Sequence, residues 1–146
     1  MENPVIIQFD DDDNYFTVLE LIGYNMGFTT AARAQNIEAT RKIIAQIEKK
    51  EIKPDIAIIS NYLGYNFEDG GKLAKKLREI VPDIKIVAYV TDPETTWGDQ
   101  LALKSGRDQQ SNLVHILEAM TGRTFVASNL PEGSEPKNEN VVNADE

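Results

Sequence analysis

Short apolar runs rich in β-branched residues alternate along this chain with stretches of helical period, which limits the fold to an α/β class with a parallel sheet and helices on both sides. Pro4 to Phe9 reads as a first strand. After the acidic run Asp10 to Asp13, the residues Tyr15, Val18, Leu19, Ile22 and Met26 recur at helical spacing until Gly27 stops them. A weak second strand covers Phe28 to Ala34. Asn36 is placed to cap the next helix, whose apolar face is Ile37, Thr40, Ile43, Ile44 and Ile47 and which ends at Lys49 and Lys50. Asp55 to Ile59 is apolar without alternation, as a strand covered on both faces is. Leu73, Ala74, Leu77 and Ile80 then give a helix closed by Pro82, and Ile84 to Val90 a fourth strand. The last helix begins near Ser111, carries Leu113, Ile116, Leu117 and Met120 on one face, and has Gly122 for its cap.

A length of 146 residues suits one core, so a single domain is expected over 1–126. The remainder, 127–146, is expected to be a disordered acidic tail. Its prolines and its acids Glu132, Glu135, Glu139, Asp145 and Glu146 stand against Lys137 alone, and little apolar surface is present to offset ordering entropy. The formal net charge of −9 argues against nucleic acid and anionic membranes as partners. No cysteine is present, and His115 is the single histidine, so disulfides, thiolate nucleophiles and multi-histidine metal centres are excluded. His115 lies beside an apolar stripe, away from the strand ends, and is assigned no chemistry. Lys72, Lys75 and Lys76 read as a solvated helix face. Without a signal peptide or a bilayer-length apolar run, the expected location is cytoplasmic.

In an open parallel sheet, ligands bind beyond the carboxyl ends of the strands. That directs attention to Asp10 to Asp13, Ser60 to Gly64, Thr91 to Pro93, and Lys104. Neighbouring carboxylates at a strand end suit a magnesium ion, which takes oxygen ligands and keeps several waters. Asp10 and Asp11 are the candidates for that role, and Asp13 or Asn14 is the expected helix cap.

Between Pro4 and Gly122 the sequence resembles the receiver domains of two-component response regulators. The resemblance rests on Ile6-Ile-Gln-Phe-Asp10-Asp11, on Gly27-Phe28 after the first helix, on Pro54-Asp-Ile-Ala-Ile-Ile-Ser60, on Asp69-Gly70-Gly71 leading into Lys72 to Arg78, and on Pro82-Asp-Ile-Lys-Ile-Val87. It implies a flavodoxin-like doubly wound sheet of order 2-1-3-4-5. It also implies an aspartate at the end of the third strand that takes phosphate from a kinase in a magnesium-dependent reaction.

The sequence departs from that pattern in two places. Ser60 stands at the acceptor position, with no base beside it in the sequence to activate its hydroxyl. Between Thr91 and Ser111 the chain is too short for a full fourth helix, a fifth strand and the family lysine. Leu101 to Leu103 is either a short fifth strand, making Lys104 the family lysine and the fourth helix short or missing, or part of a short helix from Thr95 to Lys104. Thr91, or Val90 in a shifted register, falls at the switch hydroxyl position. Trp97, the single tryptophan, is expected to act as an internal lid over the uncovered sheet, and Trp97, Leu101 and Leu103 form the candidate partner-binding surface.

The expected function is a stand-alone, degenerate receiver, or pseudo-receiver, in phosphorelay signal transduction. On this reading the chain is not an enzyme, requires no cofactor and holds magnesium at most weakly. It binds a protein: a histidine kinase, another signalling protein or a second copy. The alternative is a small magnesium-dependent phosphatase or phosphotransferase of the haloacid-dehalogenase type using Asp10 and Asp12, with Ser60 or Thr91 ending later strands. A third reading is an interaction subunit whose partner supplies a helix that completes the layer.

Overall fold

A computed structural model describes residues 3–61, 70–104 and 109–127. The elements in chain order are β1 (Ile6–Phe9), α1 (Asp13–Met26), β2 (Thr30–Ala34), α2 (Ile37–Glu48), β3 (Ile56–Ile59), α3 (Gly70–Ile80), β4 (Lys85–Val90), β5 (Gln100–Leu103) and α4 (Gln109–Thr121). They form one five-stranded sheet in the order β2-β1-β3-β4-β5, and every pairing is parallel. This is the doubly wound, flavodoxin-like arrangement that the receiver resemblance implies, built on the parallel α/β pattern read from the residues.

Side chains alternate across the sheet and divide the core into two layers. Ile6, Ile58, Val87, Tyr89 and Ala102 pack with Leu19 and Ile22 of α1 and Leu113 and Leu117 of α4. Ile7, Phe9, Ile59 and Ile86 pack on the other face with Ile43 of α2 and Leu73 and Leu77 of α3. β1 and β3 are buried along their whole length, which explains their unbroken apolar character. Each fully buried Ile or Leu contributes about 2 kcal/mol by the area it removes from water.

The helix boundaries follow from capping chemistry. Asn36 caps α2, its side chain accepting from the Ala39 N–H at 2.8 Å. At α1 the cap is Asp12, one residue before the expected Asp13 or Asn14: its carboxylate accepts from the Asn14 N–H at 2.9 Å, and Asp13 already has helical backbone. Gly27 ends α1 in the left-handed region at φ +82°, so the N–H groups of Gly27 and Phe28 both donate to the Gly23 carbonyl.

Of the two readings of residues 101–103, the fifth strand holds: Leu101 and Leu103 lie opposite Ala88 and Val90 of β4. No helix forms over 91–99, so the fourth helix of the receiver pattern is missing. The connection is instead fastened to β4 and α3. Asp99 accepts from the Ile86 N–H at 2.7 Å, and its own N–H donates to the Ile86 carbonyl. Arg78 donates to the Trp97 carbonyl at 2.9 Å and lies 3.3 Å from the Asp99 carboxylate. Trp97 is half-buried against the layer that contains Leu73, as the lid reading expects. A Cβ built on Gly70 would collide with the Ser60 carbonyl and sit 2.8 Å from the indole, so the glycine gives the ring its seat. The acidic tail beyond Ala127 and the Asp69 end of the third loop lie outside the described residues.

Candidate functional site

Parallel pairing continues one residue past three strands and so fixes the backbone of the site. The Asp10 N–H donates to the Ala34 carbonyl at 2.9 Å, the Ser60 N–H to the Phe9 carbonyl at 2.9 Å and the Lys104 N–H to the Val90 carbonyl at 2.7 Å. Asp10, Ser60 and Lys104 share the side-chain parity of Ile6, Ile58 and Ala102, so all three turn toward the α1 and α4 layer. They are 1%, 3% and 8% exposed.

Lys104 is the centre of the cluster. Its Nζ lies 2.7 Å from Asp10 Oδ2 and donates to Ser60 Oγ at 3.0 Å. The ring of Tyr15, from the first turn of α1, covers the ammonium with its centroid 4.2 Å away, and the Tyr89 ring lies at 5.6 Å. The two rings meet edge to face at 5.3 Å. Asp10 Oδ1 accepts from the Asp12 N–H at 3.0 Å, while Oδ2 has the ammonium as an ion-pair partner without hydrogen-bond geometry. Gln8 holds the start of α1 in place by donating to the Tyr15 carbonyl at 3.0 Å.

Burial pushes the Asp10 carboxyl above its ordinary value, and the Lys104 ammonium and the Asp12 N–H, which favour the charged form, offset this only in part. The Tyr89 phenol is pushed far up by burial, with smaller contributions from Tyr15 and Asp10. Tyr15 is raised by burial and by the charges of Asp12 and Asp10.

The expected site residues divide. Asp10, Ser60 and Lys104 come together; Asp11, next to Asp10 in the chain, faces solvent. Among the described residues no group of three or more acidic or histidine side chains is arranged to hold a metal. The inward carboxylate meets an ammonium, and the third position carries a hydroxyl, so these residues do not fit the magnesium ion that the receiver resemblance implies. Thr91 is exposed beyond β4, and its side chain makes no hydrogen bond among the described residues. Asp12 is committed to capping α1, so Asp10 and Asp12 do not form the paired carboxylates of the phosphatase reading. Leu101 and Leu103 lie on the face of β5 away from α4 and, like Trp97, are half-buried. The large apolar side chains that stand most exposed among the described residues are instead Tyr24 and Val126.

Sequence reasoning missed Tyr15 and Tyr89 as members of the cluster. Tyr15 read as one residue of an apolar helix face and Tyr89 as strand filling; the one available signal was a tyrosine sharing the parity of Val87 close to a carboxyl end. A groove of about 620 Å³ between α1 and β2, lined in part by Tyr24, Phe28 and Arg33, does not touch the cluster.

No protein-family model matches the sequence, and no curated protein matches it. Solved structures do. A CheY-like response regulator receiver domain protein from Methanospirillum hungatei superposes with a TM-score of 0.63 at 15% identity, over 83% of this chain and 96% of that one. The chain has the fold of a receiver domain. A response regulator from Thermotoga maritima matches this receiver fold with a TM-score of 0.63 at 16% identity, over 82% and 98% of the two chains. The isolated REC domain of RcsB from Salmonella enterica serovar Typhimurium gives 0.63 at 14% identity, over 88% and 96%. Among the described residues of this receiver fold, no helix is long and apolar enough to cross a membrane.

Proposed function

We propose that this chain is a pseudo-receiver: a signalling module that keeps the receiver fold, is not phosphorylated on aspartate and acts by binding another protein. The observation that carries the reading is the state of Ser60. Its Oγ accepts a hydrogen bond from an ammonium at 3.0 Å, and the buried carboxylate beside it is paired with that same ammonium. A serine becomes a nucleophile when a base takes its proton; here its hydroxyl faces a cation. The same geometry speaks against enzyme activity, and the haloacid-dehalogenase reading loses its carboxylate pair to the cap of α1.

The partner surface on this reading is the outer side of β5 with the connection before it. β5 is an edge strand, the receiver helix that would cover this side is missing, and Trp97, Leu101 and Leu103 are left half-buried there. A histidine kinase, another signalling protein or a second copy of the chain would add the missing layer. Magnesium is not required.

Incubation with acetyl phosphate and magnesium, followed by intact-mass measurement, tests the first half. The expected spectrum contains no phosphoryl adduct, and an acyl phosphate peak would refute the reading. Hydrogen exchange with a partner captured from native lysate tests the second half. Protection over 95–104 is expected; protection confined to α2 and α3 would exclude the β5 surface.

A further inference from the structure

The cluster at the carboxyl end of the sheet is built around a positive charge supplied by the chain itself. We propose that the Lys104 ammonium is the resident cation of this receiver site, held in a primary-ammonium cage that takes the place of a metal-binding pocket. Asp10 supplies the counter-charge at 2.7 Å, Ser60 Oγ accepts one N–H at 3.0 Å, and the face of Tyr15 closes the side toward α1 with its centroid at 4.2 Å. Carboxylate, hydroxyl and aromatic face are the chemistry that selects an alkylammonium: an N–H donor is needed for the serine, and a compact cation for the ring. A hydrated divalent ion needs several oxygen ligands and room for its waters. Ser60 contributes one neutral oxygen and Asp11 is turned outward, while the ammonium already stands against the buried carboxylate. A second cation at Asp10 would have to displace the lysine or bear its repulsion at close range. The absence of the third acid and the inward seat of Lys104 therefore belong together: with serine at position 60, Asp10 is the buried acid of the cluster and the ammonium neutralises it. The inference stands on the cluster alone and is independent of what the β5 surface binds.

Removing the amine should turn the cage into a binding site for its missing part. In full-length Lys104→Ala, n-propylammonium replaces the deleted atoms. The expected result is a thermal midpoint that rises in a saturable way with n-propylammonium, and does not rise with tetramethylammonium or sodium at equal ionic strength. The wild-type midpoint should respond to none of these, and to magnesium no more than to sodium chloride of equal ionic strength. Equal responses of Lys104→Ala to n-propylammonium and tetramethylammonium would overturn the cage. Because Lys104→Ala can fail to fold, proton–nitrogen correlation spectra of the wild-type lysine side chains provide a second test. The Lys104 ammonium should be visible near neutral pH through slow exchange and stationary during a magnesium titration; a saturable movement of that signal with magnesium would show a metal entering and refute the proposal. Failure of the partner-binding reading would leave all of these readouts unchanged, so the two can fail separately.

Discussion

The molecule departs from the receiver pattern in two regions and mends them by different physics. At the carboxyl ends of β1, β3 and β5, where the receiver resemblance implies an acid and Ser60 stands instead, charge and hydrogen bonding join three buried groups: Lys104 pairs with Asp10 at 2.7 Å and donates to Ser60 at 3.0 Å. Between β4 and β5, a missing helix is answered by one indole seated on Gly70 and tied down by Arg78. The polar repair closes its region, since the groups that would meet a ligand already meet each other. The apolar repair leaves its region half open, because one aromatic ring cannot cover what several turns of helix would. A buried ion pair is sensitive to losing one member, whereas a half-buried lid loses only the area it covers.

The largest expected effect breaks the polar repair. Lys104→Met removes the partner of a carboxylate that is 1% exposed and should lower stability by about 3–5 kcal/mol in urea unfolding. Adding Asp10→Asn should recover most of that loss, because a neutral pair leaves no buried charge; a double variant as unstable as the single one would mean that packing, not charge, is what Lys104 provides. Next comes the apolar repair. Trp97→Ala should cost about 3 kcal/mol, and Trp97→Phe should retain most of the stability, both read from the urea midpoint.

A smaller effect concerns pH. Asp10 has a folded-state pKa above its ordinary 3.8, so the folded protein binds the proton more tightly than the unfolded one. Its contribution is therefore most favourable in acid and is lost as pH rises through the window from 3.8 to the raised value. The stability difference between wild type and Asp10→Asn/Lys104→Met, followed from acid to neutral pH, should shift against the wild type across that window. A difference that favours the wild type more as pH rises would show that the ammonium outweighs burial. The smallest effect is Arg78→Ala: the Arg78 and Asp99 side chains are 37% and 47% exposed, so the change should cost about 1 kcal/mol or less. A much greater loss would make this tie an essential fastening of the Trp97 segment.

The sheet was legible because its central strands are buried on both faces and therefore read as unbroken apolar runs, with caps and glycines marking the ends of the helices. The cap of α1 was displaced by one residue because four consecutive aspartates offer the same chemistry to the sequence reader, and only backbone dihedrals choose Asp12. Asp10, Ser60 and Lys104 were legible as strand-end residues. What the sequence did not disclose is their mutual preference: that the lysine would reach inward to Asp10, that Asp11 would turn to solvent, and that Tyr15 would fold over the ammonium. Those choices depend on how α1 lies across the ends of β1 and β5, which residue spacing does not encode. The Trp97 lid was legible in kind, because a lone indole beside a shortened connection has an evident use; the degree of cover was not.

The C-terminal end of α1 has a practical consequence for handling this protein. Arg123 donates to the Gly27 carbonyl, and the Val126 N–H donates to the Asn25 carbonyl at 2.9 Å, so the backbone following α4 is moored where α1 finishes. α1 begins beside the Lys104 cluster and runs for 14 residues, about 21 Å, which sets that mooring at the opposite pole. A fluorophore attached at Val126, which is exposed, would therefore stand at the pole away from the charge cluster and report on the end of α1 without touching the buried lysine.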